Sequence, residues 1–194
     1  MRNAEFYDII YLTNPHKWES ESRNAFAYEQ VKEYNPNSII DVGCGSGHTL
    51  KYFSDKFPNA TCYGTDLSSE AVWLANNKFP CEYFTGDFMK QELPHCDLAL
   101  CMGVAEHFEK LVDFLVKLGN TADIIYLEVP NCLSYSESKE EGFRMTNEGS
   151  DQEEWHLTHD EWEKRIGYAG LKILKAIQGQ TKATEFVWVL CHTK

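Results

Sequence analysis

A glycine-rich turn at residues 41–47 restricts the possible folds of this chain more than any other feature. The run reads Asp41-Val42-Gly43-Cys44-Gly45-Ser46-Gly47 and completes the apolar segment that begins at Ser38. Glycines at alternate positions permit positive φ angles and a close approach of the backbone to a bound molecule. Residues 46–57 then have helical spacing, so the turn is expected to open a helix whose first amides face the same space. Strand, turn and helix in this order predict the first repeat of an α/β fold.

The same alternation continues along the chain. Further strands are predicted at 61–66, 81–87, 97–103 and 122–129, with helices from Ser68 to about Lys78 and from about Glu109 to Leu118. A helix capped by Thr158, with Glu161 completing a capping box, leads to two final strands at 171–177 and 186–191. This rhythm predicts a Rossmann-like three-layer sandwich with a mostly parallel seven-stranded sheet and a C-terminal antiparallel hairpin strand.

Two segments lie outside this alternation. Residues 1–37 are expected to form an N-terminal cap segment, with an aromatic-apolar cluster followed by a helix that ends near Tyr34. Residues 131–157 are polar and acidic, which predicts a long loop or lid-like insertion. Since 194 residues fit one domain of ordinary size, we expect a single domain over 1–194.

Charge and cysteine content exclude several classes of partner. The formal net charge is -12 and no Lys/Arg cluster is present, so neither a nucleic acid nor an anionic membrane is expected as a partner. No apolar run reaches the length of a signal peptide or membrane span, and a cytoplasmic protein is expected. The seven cysteines form no C-x-x-C pair, which favours reduced thiols and argues against a zinc knuckle or a disulfide framework. No group of ligand residues has the spacing of a metal site, so no metal is expected. The oligomeric state is not predicted.

The turn, the spaced acids after it and the final hairpin resemble the class I S-adenosylmethionine-dependent methyltransferases, over about residues 38–194. The resemblance implies that S-adenosylmethionine is the cofactor and that Asp41 lies near its amino group. It places Asp66 on the ribose hydroxyls, where a carboxylate accepts two hydrogen bonds, with Leu67 on the adenine. The implied cofactor-binding residues are Asp41, Gly43, Cys44, Gly45, Gly47, Asp66, Leu67, Gly86, Asp87, Phe88, Met102, Gly103 and His107.

The acceptor side is predicted from the aromatic residues and histidines outside the alternating core. The candidate acceptor-binding residues are Tyr7, Tyr11, Trp18, Asn131 and Trp155. His107 and His156 are the candidate catalytic bases, because histidine removes protons near neutral pH. The Asn/Asp-Pro-Pro-aromatic motif of amide and base-nitrogen enzymes is replaced by Gly103-Val104-Ala105-Glu106, and the only Pro-Cys pair begins the third strand. These observations favour methyl transfer to oxygen or nitrogen of a small molecule, with carbon as a further option.

Structural and functional alternatives stay open at this point. Asp66 could serve only as a helix cap, Asp87 as a turn residue, and Glu106 with His107 as the start of a helix. A nucleotide-binding oxidoreductase would share the fold, but its G-x-G-x-x-G fingerprint requires glycine where this chain has His48. A non-catalytic methyltransferase-like module would keep the fold without the reaction.

Overall fold

The computed structural model describes residues 3–135, 139–145, 153–178 and 185–192. Its contacts divide the chain into two compact units, residues 2–100 and residues 101–194. The helices are α1 Ala4–Thr13, α2 Glu21–Val31, α3 His48–Lys56, α4 Ser69–Lys78, α5 Leu111–Thr121, α6 Cys132–Tyr135 and α7 His159–Tyr168. The strands are β1 Ser38–Val42, β2 Thr61–Asp66, β3 Glu82–Thr85, β4 Cys96–Met102, β5 Ala122–Pro130, β6 Gly142–Met145, β7 Glu153–His156, β8 Leu171–Gln178 and β9 Glu185–His192.

Seven of the strands form a sheet in the order β3-β2-β1-β4-β5-β9-β8, while β6 and β7 form a separate hairpin. The pairs β1–β2 and β2–β3 are parallel, with Val42 opposite Thr65 and Asp66 opposite Thr85. Strand β9 runs antiparallel to both β5 and β8. The predicted mostly parallel sheet with one reversed C-terminal strand is therefore confirmed.

The unit of residues 2–100 follows from its caps and its apolar faces. Asn3, Ser20 and Ser68 begin α1, α2 and α4, each accepting a backbone N–H three residues later. The predicted cap at Ser68 is thus confirmed. Helix α1 extends over residues for which the sequence predicted only an aromatic-apolar cluster. The core is apolar, with Ile39, Ile40, Leu50, Phe53 and Leu98 fully buried.

The unit of residues 101–194 is built around the aromatic side chains of α7 and β9. Trp162 and Trp188 are fully buried and their ring centroids lie 6.1 Å apart. Thr158 caps α7, as predicted, by accepting from the Glu161 amide at 3.3 Å. The predicted capping box is wrong, however, because the Thr158 amide donates to Glu141 at 3.1 Å. The Glu161 carboxylate instead pairs with Lys164 and Arg165.

The segment predicted as a long polar loop contains regular structure in its described part. Residues 132–135 are helical, and β6 pairs with β7 in an antiparallel register that places Gly142 opposite His156 and Phe143 opposite Trp155. Apolar contacts explain the hairpin: the Phe143 and Trp155 rings lie 5.4 Å apart, and the Arg165 guanidinium lies 5.1 Å from the Trp155 ring. The sequence predicted a loop here because the acidic and polar composition of the segment outweighed this single aromatic pair. Among the described helices, none has the length and apolar character needed to cross a membrane.

Candidate functional site

The glycine turn between β1 and α3 takes the backbone conformation that its sequence predicts. Gly43, Gly45 and Gly47 have φ angles of 77°, 52° and 84°, in the left-handed region that glycine adopts without steric cost. The amides of Gly43 and Cys44 both donate to the Thr65 carbonyl, at 2.8 and 3.0 Å. The turn is therefore fixed against the carboxyl end of β2, which is the edge where open parallel sheets bind ligands.

Two tyrosine side chains of the protein itself, Tyr11 and Tyr83, lie close to the glycine turn. A Cβ atom on Gly45 would lie 2.5 Å from the hydroxyl of Tyr11, and one on Gly47 would lie 2.8 Å from the hydroxyl of Tyr83. Tyr11 is only 7% exposed, and burial together with the Asp66 carboxylate raises the pKa of its hydroxyl well above the usual value. The sequence predicted Tyr11 as an acceptor-binding residue, and the structure places it against the glycine turn.

Asp66 ties the turn to the start of α4. Its Oδ2 accepts the Gly45 amide at 2.8 Å, and its Oδ1 accepts the Ser68 amide at 2.9 Å. Burial raises the pKa of this carboxyl group, while hydrogen bonds from the Ser68, Gly45 and Leu67 amides partly oppose that rise. The helix cap itself is Ser68, so the reading of Asp66 as only a cap is incomplete. A carboxylate oxygen retains a second lone pair after one such bond, and both oxygens can still accept from a ligand.

Asp41 is a buried carboxyl group at the end of β1. It is 3% exposed, and burial, with a contribution from the charge of Asp66, raises its pKa to about 7. The Arg23 guanidinium opposes this rise. Sequence reasoning missed Arg23, because it lies on α2 without any motif around it. A buried carboxyl group beside a second, half-buried carboxyl group favours a cationic or hydrogen-bond-donating ligand.

The residues after β3 lie in a short 3-10 turn, Phe88–Lys90. The Gly86 amide donates to the Asp66 carbonyl at 2.8 Å, which places this turn beside the end of β2. The Asp87 carboxylate accepts the Met89 amide at 3.0 Å and pairs with Lys90 at 3.1 Å. Asp87 therefore acts at least as a turn residue, while Leu67 is half-buried and Phe88 is buried.

The N-terminal segment contacts the same region through α1. Asp8 accepts from the Ser68 hydroxyl at 2.6 Å and from the Glu70 amide at 3.1 Å, so it holds α1 on the first turn of α4. Burial alone would raise the pKa of Asp8, but these hydrogen bonds lower it overall. Trp18 is 45% exposed and packs edge-on against Tyr11 at 5.4 Å, while Tyr7 is half-buried. The role of Asp8 was not predicted, because no local sequence pattern indicates that a residue contacts the start of a helix sixty positions away.

The other predicted site residues lie in the unit of residues 101–194. Gly103 has a φ of 74° and its amide donates to the Glu128 carbonyl at 2.8 Å, while Met102 is half-buried. Glu106 and His107 lie in a 3-10 turn, Ala105–His107, ahead of α5. The His107 Nε2 is 3.7 Å from the Glu106 Oε1. Glu106 and His107 therefore lie next to each other in a short turn, and helix α5 begins only at Leu111.

His156 and Trp155 lie on β7, which packs against the turn that carries His107. The Trp155 indole donates to the Phe108 carbonyl at 2.8 Å and fixes this contact. His156 is fully buried, and the backbone of Arg144 is its hydrogen-bonding neighbour among the described residues. Burial lowers its pKa, so the ring is neutral near pH 7 and can accept a proton. The carbonyl of Asn131 accepts from the Ser134 amide and begins α6.

We expect Asp66→Ala to weaken cofactor binding by about 1.5–3 kcal/mol, the range for a lost hydrogen bond to a charged group. It should also lower the free energy of unfolding, because the Gly45 and Ser68 amides lose their acceptor. Isothermal titration calorimetry and denaturant unfolding measure the two effects. Ser68→Ala is the matched control: it removes the α4 cap but keeps the carboxylate, and should lower stability only. Unchanged affinity in Asp66→Ala would restrict Asp66 to a structural role.

The sequence of this chain is similar to those of known methyltransferases. Residues 40–122 match a family model described as a methyltransferase domain. The chain is 30% identical over 99 residues to a probable chloroplastic tocopherol O-methyltransferase from Oryza sativa subsp. japonica, covering 46% of this chain and 27% of that protein. It is 29% identical over 79 residues to a dTDP-3-amino-3,6-dideoxy-alpha-D-glucopyranose N,N-dimethyltransferase from Streptomyces fradiae, covering 40% and 29%. The chain thus spans less than a third of either relative.

Solved structures share the fold over nearly the whole chain. An S-adenosylmethionine-dependent methyltransferase from Clostridium acetobutylicum ATCC 824 superposes with a TM-score of 0.75 at 15% identity, covering 98% of both chains. The magnesium protoporphyrin IX methyltransferase from Synechocystis PCC 6803, solved with bound SAH, gives a TM-score of 0.69 at 14% identity and covers 98% of both chains. At these identities the likeness establishes the fold.

Proposed function

Because residues 40–122 match a methyltransferase-domain family model and the fold is that of solved S-adenosylmethionine-dependent methyltransferases, we propose that this chain is a class I enzyme of that kind and transfers a methyl group from S-adenosylmethionine to a small-molecule acceptor. The observation that carries the proposal is the glycine turn held by Asp66 beside the buried carboxyl group of Asp41. The acceptor atom is proposed to be oxygen or nitrogen. Curated relatives named as O-methyltransferases and N,N-dimethyltransferases support both choices.

The residues around the turn fit the cofactor on physical grounds. S-adenosylmethionine supplies an activated methyl group on a sulfonium centre and also carries an ammonium group. A carboxyl group whose pKa is raised to about 7 by burial and by its neighbour would be stabilised as a carboxylate by such a cation. The amides of the three glycines already donate to the Thr65 carbonyl, the Asp66 carboxylate and the Cys44 carbonyl, so the fit rests on Asp66, whose oxygens have lone pairs left for ribose hydroxyls.

The chain's own task in the reaction is to orient an acceptor and to hold or remove its proton. We assign proton removal to His156 or His107. His156 is fully buried and burial lowers the pKa of its ring, so it is neutral near pH 7, and His107 Nε2 lies 3.7 Å from the Glu106 carboxylate. The assignments of Met102 and Gly103 to the cofactor and of Tyr7, Trp18, Asn131 and Trp155 to the acceptor stand as predictions.

Cofactor affinity is expected to increase with pH up to about pH 7. The ammonium group favours the ionised form of Asp41, whose pKa is about 7 in the free protein, so binding releases a proton below that value. The affinity should therefore fall by about tenfold for each pH unit below 7. Calorimetry in two buffers of different ionisation enthalpy measures the released proton, and Asp41→Asn should bind weakly with no such proton release.

The raised pKa of Asp41 also affects the stability of the protein without cofactor, which is expected to decrease as the pH rises. A carboxyl group whose pKa is raised on folding stabilises the fold below its ordinary pKa of 3.8, and this contribution is lost as the pH rises to about 7. Asp41→Asn should remove the loss, and at pH 8 the variant should unfold at a higher denaturant concentration than the wild type. Equal pH profiles for wild type and variant would contradict the raised pKa and the proposed binding role.

Calorimetry with S-adenosylmethionine and with NAD(P) tests the proposal against its two rivals. We expect binding of S-adenosylmethionine alone; binding of NAD(P) alone would favour an oxidoreductase. A screen of metabolite fractions with methyl-labelled cofactor then tests catalysis. Cofactor binding without label transfer to any fraction would favour a non-catalytic module. Transfer of label identifies the acceptor and the atom methylated.

A further inference from the structure

Two histidines and a glutamate converge beside the glycine turn, outside the residues assigned to the cofactor. His16 and Glu19 lie in the connection between α1 and α2, and His48 is the first residue of α3. The Glu19 Oε1 is 2.7 Å from His16 Nδ1 and 2.7 Å from His48 Nε2. One potential ligand atom from each residue thus lies within 4.8 Å of the other two.

The donor set has the chemistry of a transition-metal site. Two imidazole nitrogens and one carboxylate oxygen form a recurring three-ligand set for Zn²⁺, with the remaining position open to water or another ligand. The same set with open positions also binds Fe²⁺, and imidazole ligands favour later first-row metals over Mg²⁺ and Ca²⁺. The nature of the ligands therefore selects a transition metal and not an alkaline-earth ion.

Neighbouring side chains contact these three residues and hold them in orientation, as hydrogen-bond partners of metal ligands do in metal proteins. The Ser46 hydroxyl donates to the Glu19 Oε1 at 3.0 Å, so the glycine turn itself positions the carboxylate. The His48 ring packs edge-on against Phe79 at 5.2 Å and against His16 at 5.8 Å. Because His16 is exposed while His48 and Glu19 are only partly buried, an ion can enter from solvent.

A hydrogen-bonded cluster without metal is the competing explanation of the same geometry. It would require a single carboxylate oxygen to accept from both imidazoles and from Ser46. The contacts of 2.7 Å have hydrogen-bond length, whereas tetrahedral ligands bonded to zinc at about 2.0–2.2 Å lie roughly 3.3–3.6 Å apart. Metal binding therefore requires each contact to lengthen by roughly 0.6–0.9 Å, and the exposed His16 side chain is the ligand with most freedom to move.

We propose that His16, Glu19 and His48 bind one divalent transition-metal ion, with Zn²⁺ as the preferred probe, and that the ion fastens the α1–α2 connection to the first turn of α3. The spacing of these residues along the chain matches no metal motif, which is why the sequence led us to expect no metal. The site does not depend on the proposed methyl transfer, since none of its ligands is assigned to the cofactor or the acceptor.

Titration of the full chain with ZnCl₂ after treatment with a chelator tests this proposal. We expect one zinc ion bound per chain by calorimetry, and a rise in the midpoint of thermal unfolding with zinc concentration, because the ion binds the folded state. His16→Ala and Glu19→Gln should each weaken zinc binding by about tenfold or more and remove the thermal shift. His95→Ala, which removes an exposed histidine outside the cluster, should change neither.

Cysteine is the main competing zinc ligand, and Cys62 and Cys81 lie on neighbouring chain segments with interacting thiols. Titration with Co²⁺ separates the two sites, since thiolate ligands give a charge-transfer absorption in the near ultraviolet and imidazole with carboxylate does not. We expect no such band, and unchanged zinc binding in Cys81→Ser. Zinc binding that survives His16→Ala and Glu19→Gln, or that disappears in Cys81→Ser, would overturn the proposal, as would no binding by the wild type.

Discussion

Gly45→Val is expected to fold yet to lose S-adenosylmethionine binding by at least about 100-fold. Its Cβ would lie 2.5 Å from the Tyr11 hydroxyl, and the residue has a φ of 52° that a β-branched side chain adopts with strain. The unfavourable φ costs about 1–3 kcal/mol, and displacing Tyr11 adds to this cost. If only the intact turn binds the cofactor, the sum corresponds to an affinity lowered by about 100-fold. Calorimetry measures the affinity, and circular dichroism checks that the variant is folded.

Two controls isolate the cause of that loss. Gly167→Val introduces the same side chain where nothing lies within 4 Å, and should leave affinity unchanged. Combining Gly45→Ala with Tyr11→Ala removes the steric contact while keeping the unfavourable φ. Recovery of binding in this double variant, relative to Gly45→Ala alone, would show that Tyr11 is the obstacle. A folded Gly45→Val protein with near-normal affinity would refute the assignment of the turn to the cofactor.

His156→Phe is expected to lower kcat about 100-fold while leaving cofactor affinity intact. General-base catalysis contributes a factor of this order or more, and phenylalanine keeps an aromatic ring but accepts no proton. The substitution replaces a fully buried polar ring by an apolar one, so the free energy of unfolding should not fall. Loss of activity without loss of stability is the result expected of a functional residue.

Trp155→Phe is the matched control for this variant. It removes the indole donor to the Phe108 carbonyl, which holds β7 on the turn of His107, but keeps His156. Its main effect should be on stability, with turnover reduced less than in His156→Phe. The acceptor identified by the labelled-cofactor screen serves as substrate in both assays. If His156→Phe retains wild-type turnover, the histidine is a core residue and proton removal falls to His107.

The architecture could be predicted from the sequence because each signal for it is local. Short stretches of sequence contain the apolar strand runs, the helix periodicity and the cap at Ser68. The right-handed crossover rule then restricts how these strands and helices assemble into a sheet. The hairpin of β6 and β7 was missed because one cross-strand pair, Phe143 with Trp155, stabilises a segment whose composition is acidic and polar. Local composition then predicts a loop, whereas packing decides otherwise.

The glycine turn and the acids at the ends of the first two strands could be recognised in the sequence, because turn chemistry and strand ends are properties of short stretches of chain. The folded structure sets their surroundings. It brought Tyr11 onto Gly45, Asp8 onto the start of α4, and Glu19 between His16 and His48. These contacts join residues up to sixty-two positions apart, and no local pattern encodes them. Their effects, including the pKa of about 7 at Asp41, arise from burial and neighbouring charge, which exist only once the chain has folded.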